Sequence, residues 1–188
     1  MIKIGITGSI ASGKTSAVQF LAKNKRVIFS ADNAVKELYR KNNLKKIIAK
    51  KLKFKISPRF KKDLKNKILQ NKNNLKILEK FVHPKVRQKM IRFIKDNKRQ
   101  KFLFFEIPLL IENNLQRYFD TTIFIQSNKS IRLKRFKIKN GNIDLFNLLN
   151  SQQLNNSKKK KKCDVTVTNN KTLIVLKKKL LTIMQTYE

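Results

Sequence analysis

Apolar residues in this chain come in short continuous runs, separated by longer stretches in which they recur every three or four positions. The first run, Ile2-Lys3-Ile4-Gly5-Ile6, predicts a buried strand, and Lys14 to Ala22, with Ala17, Val18, Leu21 and Ala22 on one side, predicts a helix after it. Val27-Ile28-Phe29 predicts a second strand ending at Ser30-Ala31-Asp32, with a helix over Asn33 to Tyr39. From Asn42 to about Lys98 the pattern changes to lysine-rich amphipathic helices, with breaks expected at Pro58 and at His83-Pro84. Leu75, Leu78, Phe81 and Val82 mark one inward face there, and Val86, Met90, Ile91 and Ile94 the next. Phe102 to Phe105 is the most apolar strand, Thr121 to Ile125 a fourth, and Asp164 to Asn169 alternates like a fifth. Lys129 to Ile138 and Ile143 to Leu154 read as helices joined by Asn140-Gly141-Asn142, and Thr172 to Met184 as a closing amphipathic helix.

Strands that alternate with helices in this way predict an α/β fold, three layers built on a central parallel sheet of about five strands. The expected organisation is one domain over 1–188, with 1–41, 99–127 and 163–188 as core, 42–98 as a helical insertion and 128–162 as a short helical lid.

The turn between the first strand and helix carries Gly8-Ser9-Ile10-Ala11-Ser12-Gly13-Lys14-Thr15, the spacing of a phosphate-binding loop. Gly8 and Gly13 are expected to supply positive φ and close backbone approach, so that successive N–H groups wrap phosphate oxygens. Lys14 reaches the outer phosphates as a point charge, Thr15 offers a hydroxyl to Mg²⁺, and the new helix directs its positive end at the same anion. Of four glycines in 188 residues, three (Gly5, Gly8 and Gly13) fall within nine positions of this turn.

Carboxylates are scarce, so their positions carry weight. In a parallel doubly wound sheet ligands gather at the carboxyl ends of strands, which makes Asp32, after strand two, a candidate to orient an attacking hydroxyl and take its proton. The alternative for Asp32 is a helix N-cap. Glu106, ending the apolar third strand, is either the acidic partner of a magnesium-bound water or a solvated strand end. Arg132, Arg135, Lys137 and Lys139 lie where a mobile helix closes over a γ-phosphate, and an exposed basic face is the competing account. The five lysines of Ser157 to Lys162 read as a solvated loop with no fixed role, and His83 on general grounds as a hydrogen-bonded structural residue.

Composition narrows the classes. One cysteine excludes an internal disulfide and a multi-cysteine zinc site, no apolar run approaches the ~20 residues of a membrane span, and no charged leader precedes the first strand. A cytoplasmic protein without a membrane partner is expected. Against 46 Lys plus Arg stand 11 Asp plus Glu, a formal charge of +35. Because the lysines are spread over nearly every segment, no specific nucleic-acid partner is expected. A basic nucleic-acid-binding NTPase stays open as an alternative, as does another nucleoside or nucleotide kinase. No Asn-Lys-x-Asp guanine-reading motif is present.

Taken together, several segments resemble the dephospho-CoA kinase family. Gly5 to Ser16 is similar to its phosphate loop, and Ser30-Ala31-Asp32 to its Asp-Ala-Asp, whose second aspartate is taken as the base. Leu78 to Val86, containing His83-Pro84, resembles its acceptor-side segment, and Pro108-Leu109-Leu110-Ile111-Glu112 its Pro-Leu-Leu-x-Glu. Arg135 and Lys139 sit where the family's lid carries two arginines, and Cys163 to Asn169 resembles its closing motif.

The resemblance implies a P-loop kinase fold and transfer of phosphate from ATP, with Mg²⁺, to the ribose 3′-hydroxyl of dephospho-CoA. It implies nucleotide contacts at Gly8, Ala11, Ser12, Gly13, Lys14, Thr15, Ser16 and Lys139, and acceptor contacts at His83, Lys61, Asp32 and Leu109. Asp32, Lys14 and Arg135 take the catalytic roles, Thr15 the metal, and the enzyme is expected as a monomer or weak oligomer. The chain departs from the family with Ser30 for the first aspartate, and with Lys36, Lys61 and Lys139 where arginines are usual. Lysine keeps the charge and loses the bidentate fork.

Overall fold

The computed structural model describes residues 1–22 and 27–187. They form two compact units, Met1–Ser30 with Asn97–Glu188, and Ala31–Asp96.

The first unit is built on five parallel strands: β1 (Ile2–Gly8), β2 (Ile28–Ser30), β3 (Phe102–Glu106), β4 (Thr121–Gln126) and β5 (Val165–Thr168), in the order β2-β3-β1-β4-β5. A parallel strand covered on both faces has no polar side, which is why these segments are apolar runs. Ile4, Ile6, Leu103, Phe105 and Ile123 to Ile125 are all fully buried. Thr121 and Thr122 are buried polar exceptions, and each has a partner: Thr121 Oγ1 donates to the Tyr187 hydroxyl (2.8 Å) and Thr122 Oγ1 to the Asp164 carboxylate (2.7 Å). Helix α1 (Lys14–Ala22) follows β1 and buries Ala17, Val18, Leu21 and Ala22, the side its periodicity marks.

Register fixes where the strands end. Ile6 and Ser30 both lie opposite Glu106, Gly8 lies opposite Ile125, and Gln126 opposite Thr168. One rim therefore carries the turns that follow Gly8, Glu106, Gln126 and Thr168.

The second unit is helical: α2 (Ala31–Leu38), α3 (Asn42–Lys51), α4 (Phe60–Gln70) and α5 (Lys72–Asp96). Leu38, Leu44, Ile48, Leu52, Phe60, Leu64, Leu78 and Val82 form its core, with the rings of Phe54 and Phe60 5.6 Å apart. The chain breaks near Pro58 as expected, but it does not break at His83-Pro84: α5 runs on with Pro84 inside. Pro84 removes one i→i−4 bond. Leu78 and Val82 before it and Met90 after it are buried, so packing holds both halves of one helix.

The chain continues in the first unit with α6 (Lys129–Ile138), α7 (Ile143–Ser151), α8 (Asn156–Lys162) and α9 (Leu173–Gln185). Helix α8 corrects the expectation of a solvated lysine loop. Asn155 caps it by accepting from the Lys158 N–H (2.8 Å), and the helical turn carries Lys159 inward, fully buried, while Lys158 and Lys160 to Lys162 stay exposed.

Candidate active site

The phosphate loop leaves β1 at Gly8. A Cβ there would stand 2.5 Å from both the Ile125 carbonyl oxygen and Ser12 Oγ, so this glycine answers a shortage of space. The expected positive φ at Gly8 is not what the loop uses. Among the described residues of the loop, positive φ falls on Ala11 (57°) and Gly13 (99°). These two residues make the reversals that a wrap of inward N–H groups requires.

Lys14 is buried, 8% exposed, and its ammonium donates to the Ser9 carbonyl (3.1 Å), across the loop it serves. Thr15 Oγ1 donates to Glu106 Oε1 at 2.5 Å. Glu106 is only 6% exposed, which overturns the reading of a solvated strand end: it is an enclosed carboxylate beside the loop. Thr7 Oγ1 donates to the Pro108 carbonyl (3.1 Å), tying the end of β1 to the segment after Glu106.

The other side of the loop is closed by Asn169, 2% exposed, whose Nδ2 donates to the Ser12 carbonyl (2.8 Å). Asn169 and Ser12 each bring a buried oxygen, Oδ1 and Oγ, with no hydrogen-bond partner among the described residues. Ala11, Gly13 and Ser16 are half-buried around them.

From α6, Arg135 donates to the Asn169 carbonyl (3.2 Å) and to Ser127 Oγ (3.4 Å), and Lys139 is exposed at the helix end. Arg132, one turn earlier, is the more enclosed group, 5% exposed, with its guanidinium 5.6 Å from the centre of the Phe146 ring. It donates to the carbonyls of Ser127 (3.2 Å) and Ile10 (3.3 Å) and to Asn150 Oδ1 (2.9 Å), and burial pushes its pKa below the ordinary arginine value.

Leu109 is half-buried in the turns that follow β3. In that same stretch Glu112 Oε1 receives the Lys159 ammonium at 2.8 Å and the Leu154 N–H at 2.9 Å. In the helical unit, Asp32 is exposed in the first turn of α2, Lys61 is exposed in the first turn of α4, and His83 is half-buried on α5. The sequence reading treated Arg132 as one of several lid cations and attached no role to Gln153 or Asn156, which reach the loop. Asn169 and Glu112 had a signal, since both stand in the motifs shared with the kinase family.

A family profile described as Dephospho-CoA kinase matches residues 2–174. The chain belongs to the dephospho-CoA kinase family. Among curated relatives, the dephospho-CoA kinase of Rickettsia typhi is 35% identical over 160 residues, covering 82% of this chain and 81% of the relative. That of Rickettsia conorii is 36% identical over 156 residues with the same coverage. The solved dephospho-CoA kinase from Campylobacter jejuni superposes with a TM-score of 0.67 at 26% identity, over 97% of this chain and 95% of that one. The protein TT1252 from Thermus thermophilus shares the fold, with a TM-score of 0.80 at 23% identity over 98% and 97%. As a dephospho-CoA kinase family member the chain is an ATP-using phosphotransferase, and its phosphate loop, Glu106 and Asn169 lie together in the unit that carries the sheet. No helix among the described residues is long and apolar enough to cross a membrane.

Proposed function

We propose that the chain moves the γ-phosphoryl group of ATP onto the ribose 3′-hydroxyl of dephospho-CoA with its own residues in these roles. The Lys14 ammonium and the amides of the Gly8 to Thr15 turn other than those of Ile10 and Ser12, which donate within the protein, hold the phosphates by fixed positive charge, so no reorganisation is needed as charge shifts in the transition state. Asp32 orients the acceptor hydroxyl and accepts its proton as that oxygen bonds to phosphorus. The bond from phosphorus to the β–γ bridging oxygen breaks, and ADP leaves. Arg135 and Lys139 cover the transferring group. His83, Lys61 and Leu109 hold the acceptor, with 42–98 as the acceptor-side insertion and 128–162 as the lid.

Chain connectivity supports Asp32: Ser30 lies in register with Glu106 at the end of β2, and Asp32 follows two residues later. The observation that carries the reading is the Thr15–Glu106 hydrogen bond, which brings a hydroxyl and an enclosed carboxylate together beside Lys14. Two hard oxygen donors fit Mg²⁺, and Thr15 and Glu106, directly or through water, are the residues that would hold it. When bound, the ion neutralises charge on the phosphates. We further infer a cytoplasmic monomer or weak oligomer with a small-molecule acceptor.

The test is CoA formation from ATP, Mg²⁺ and dephospho-CoA by the purified chain. Wild type makes CoA, and Asp32→Asn lowers kcat roughly 10²- to 10⁴-fold while ATP affinity stays within about twofold. A near-normal kcat removes Asp32 from the role. Turnover of nucleosides with none of dephospho-CoA moves the assignment to another small-molecule kinase.

A further inference from the structure

Side chains from residues 132–156 grip the phosphate loop at two consecutive positions. Gln153 Oε1 accepts from the Ile10 N–H (2.9 Å), and Asn156 Oδ1 accepts from the Ser9 hydroxyl (2.9 Å). Arg132 donates to the Ile10 carbonyl at 3.3 Å. Both backbone groups of Ile10 and the side chain of Ser9 are thereby engaged by one stretch of chain that lies more than 120 residues away in sequence.

The residue that follows is Ala11, at φ 57°. A left-handed conformation costs a residue with a Cβ roughly 1–2 kcal/mol, and it persists only where the surroundings over-determine it. On the far side of Ala11 the loop is fixed by Asn169, which donates to the Ser12 carbonyl at 2.8 Å. Ala11 is therefore held from both ends, and the hold on its amino-terminal side comes from polar groups outside the hydrophobic core. Gln153 sits in the short connection between α7 and α8, half-buried, where packing alone does not fix a side chain.

We propose that Gln153 and Asn156 are positioning residues for ATP: they hold Ser9 and Ile10 so that Ala11 stays left-handed in the turn that the Ser12 N–H closes onto the Ser9 carbonyl (3.1 Å), and the amides beyond Ser12 are set for the phosphates. This rests on the reading of the loop as the ATP site. It gives 128–162 a task before any closure, that of setting the loop that receives the nucleotide. A tie that only stabilised the fold would weaken every ligand alike and would be indifferent to the residue at position 11. The two accounts differ in that respect.

The experiment measures ATP and dephospho-CoA dissociation constants by calorimetric titration of the full chain, with thermal melting to establish that each variant is folded. Two lost hydrogen bonds raise the ATP dissociation constant of Gln153→Leu/Asn156→Ala roughly tenfold or more, with the dephospho-CoA constant within about twofold. Ala11→Gly placed in that double variant relieves the left-handed penalty and recovers roughly fivefold of the ATP affinity. Ser9→Ala and Asn156→Ala remove one bond from its two ends, so the pair together does no more damage than either alone. The proposal is overturned if the double variant binds ATP as wild type does, if both ligands are lost equally, or if Ala11→Gly recovers nothing. Binding is read without turnover. A wild-type chain that binds ATP and forms no CoA therefore counts against the proposed reaction and leaves the result on Gln153 and Asn156 standing.

Discussion

Lys159 is one of five consecutive lysines, yet the structure assigns it a different energy from the other four. Its ammonium is fully buried, 2.8 Å from Glu112 Oε1 and 3.3 Å from the Pro108 carbonyl. Glu112 in turn has Oε2 buried without a partner among the described residues, and apart from Lys159 its Oε1 accepts from the Leu154 N–H. Replacing Lys159 by Met fills much of the same space and leaves that carboxylate enclosed with one neutral donor. Breaking a buried pair from one side costs about 3–5 kcal/mol, because the remaining charge is uncompensated. A chain of this size shifts its melting midpoint by roughly 2–4 °C per kcal/mol, so Lys159→Met falls by on the order of 10 °C. Lys158, Lys160, Lys161 and Lys162 are exposed, and a Ser at any one of them changes stability by less than about 0.5 kcal/mol. Glu112→Gln combined with Lys159→Met removes both charges and regains most of the loss. Thermal melting of the five single lysine variants and the double variant is the assay. The reasoning fails if Lys159→Met melts with its four neighbours, or if the double variant is as unstable as the sum of its parts.

Gly8→Ala forces a Cβ against the backbone oxygen of Ile125, which cannot move without disturbing β4, so the loop shifts and ATP affinity falls roughly 10- to 100-fold, read by titration. Burial pushes the Cys163 thiol up to about 11, against a Thr122 hydrogen bond that lowers it; at pH 8 it carries roughly 100-fold less thiolate than a free cysteine, and its reaction with a thiol reagent is correspondingly slow and rises up to about pH 11. Burial pushes Tyr39 up to about 12. Its phenol ionises at about 10 in the unfolded chain, so above that pH the unfolded state has lost the proton that the folded state keeps, and urea melts show stability falling between about pH 10 and 12. Tyr39→Phe removes that contribution to the slope.

The five strands were legible because a strand buried on both faces is an apolar run, and the phosphate loop was legible because its chemistry depends on spacing along the chain. What was not legible depends on partners distant in sequence. Lys159 is identical in type to its neighbours, and Glu112 and the Pro108 carbonyl, on another part of the chain, distinguish it. The bonds from Gln153 to Ile10 and from Asn156 to Ser9 span 143 and 147 residues, so no local pattern reports them. At Pro84 the local rule is sound, and the burial of Leu78, Val82 and Met90 outweighs one missing hydrogen bond. At Gly8 the close approach that the spacing predicts holds, while the positive φ falls to Gly13 and to Ala11, a residue that composition does not flag. Among the cations of α6, spacing could not rank Arg132 above Arg135, because the difference is one of burial.

The distribution of the acids gives the charge imbalance a physical form. With 46 cations and 11 acids, ion pairs between exposed groups are easily made, and each is worth little. In the sheet unit Asp120, Asp164, Glu106 and Glu112 act instead as acceptors for specific backbone and side-chain donors. Asp120 accepts from the Lys3 N–H (2.7 Å) at the start of β1. Asp164 accepts from both the N–H and the hydroxyl of Thr122 (2.7 Å each) at the start of β4. Glu106 takes the Thr15 hydroxyl at the end of β3, and Glu112 the Lys159 ammonium and the Leu154 N–H just beyond it. Each of these bonds is short-range, and those of Asp164, Glu106 and Glu112 are partly enclosed, so each depends on an acceptor oxygen at one place more than on the summed field of the protein. A chain can therefore carry a formal charge of +35 and still keep a defined phosphate loop: the repulsion is spread over solvated lysines that salt screens, while Glu106, Asp120 and Asp164 sit at strand ends where a missing acceptor would leave a donor unpaired.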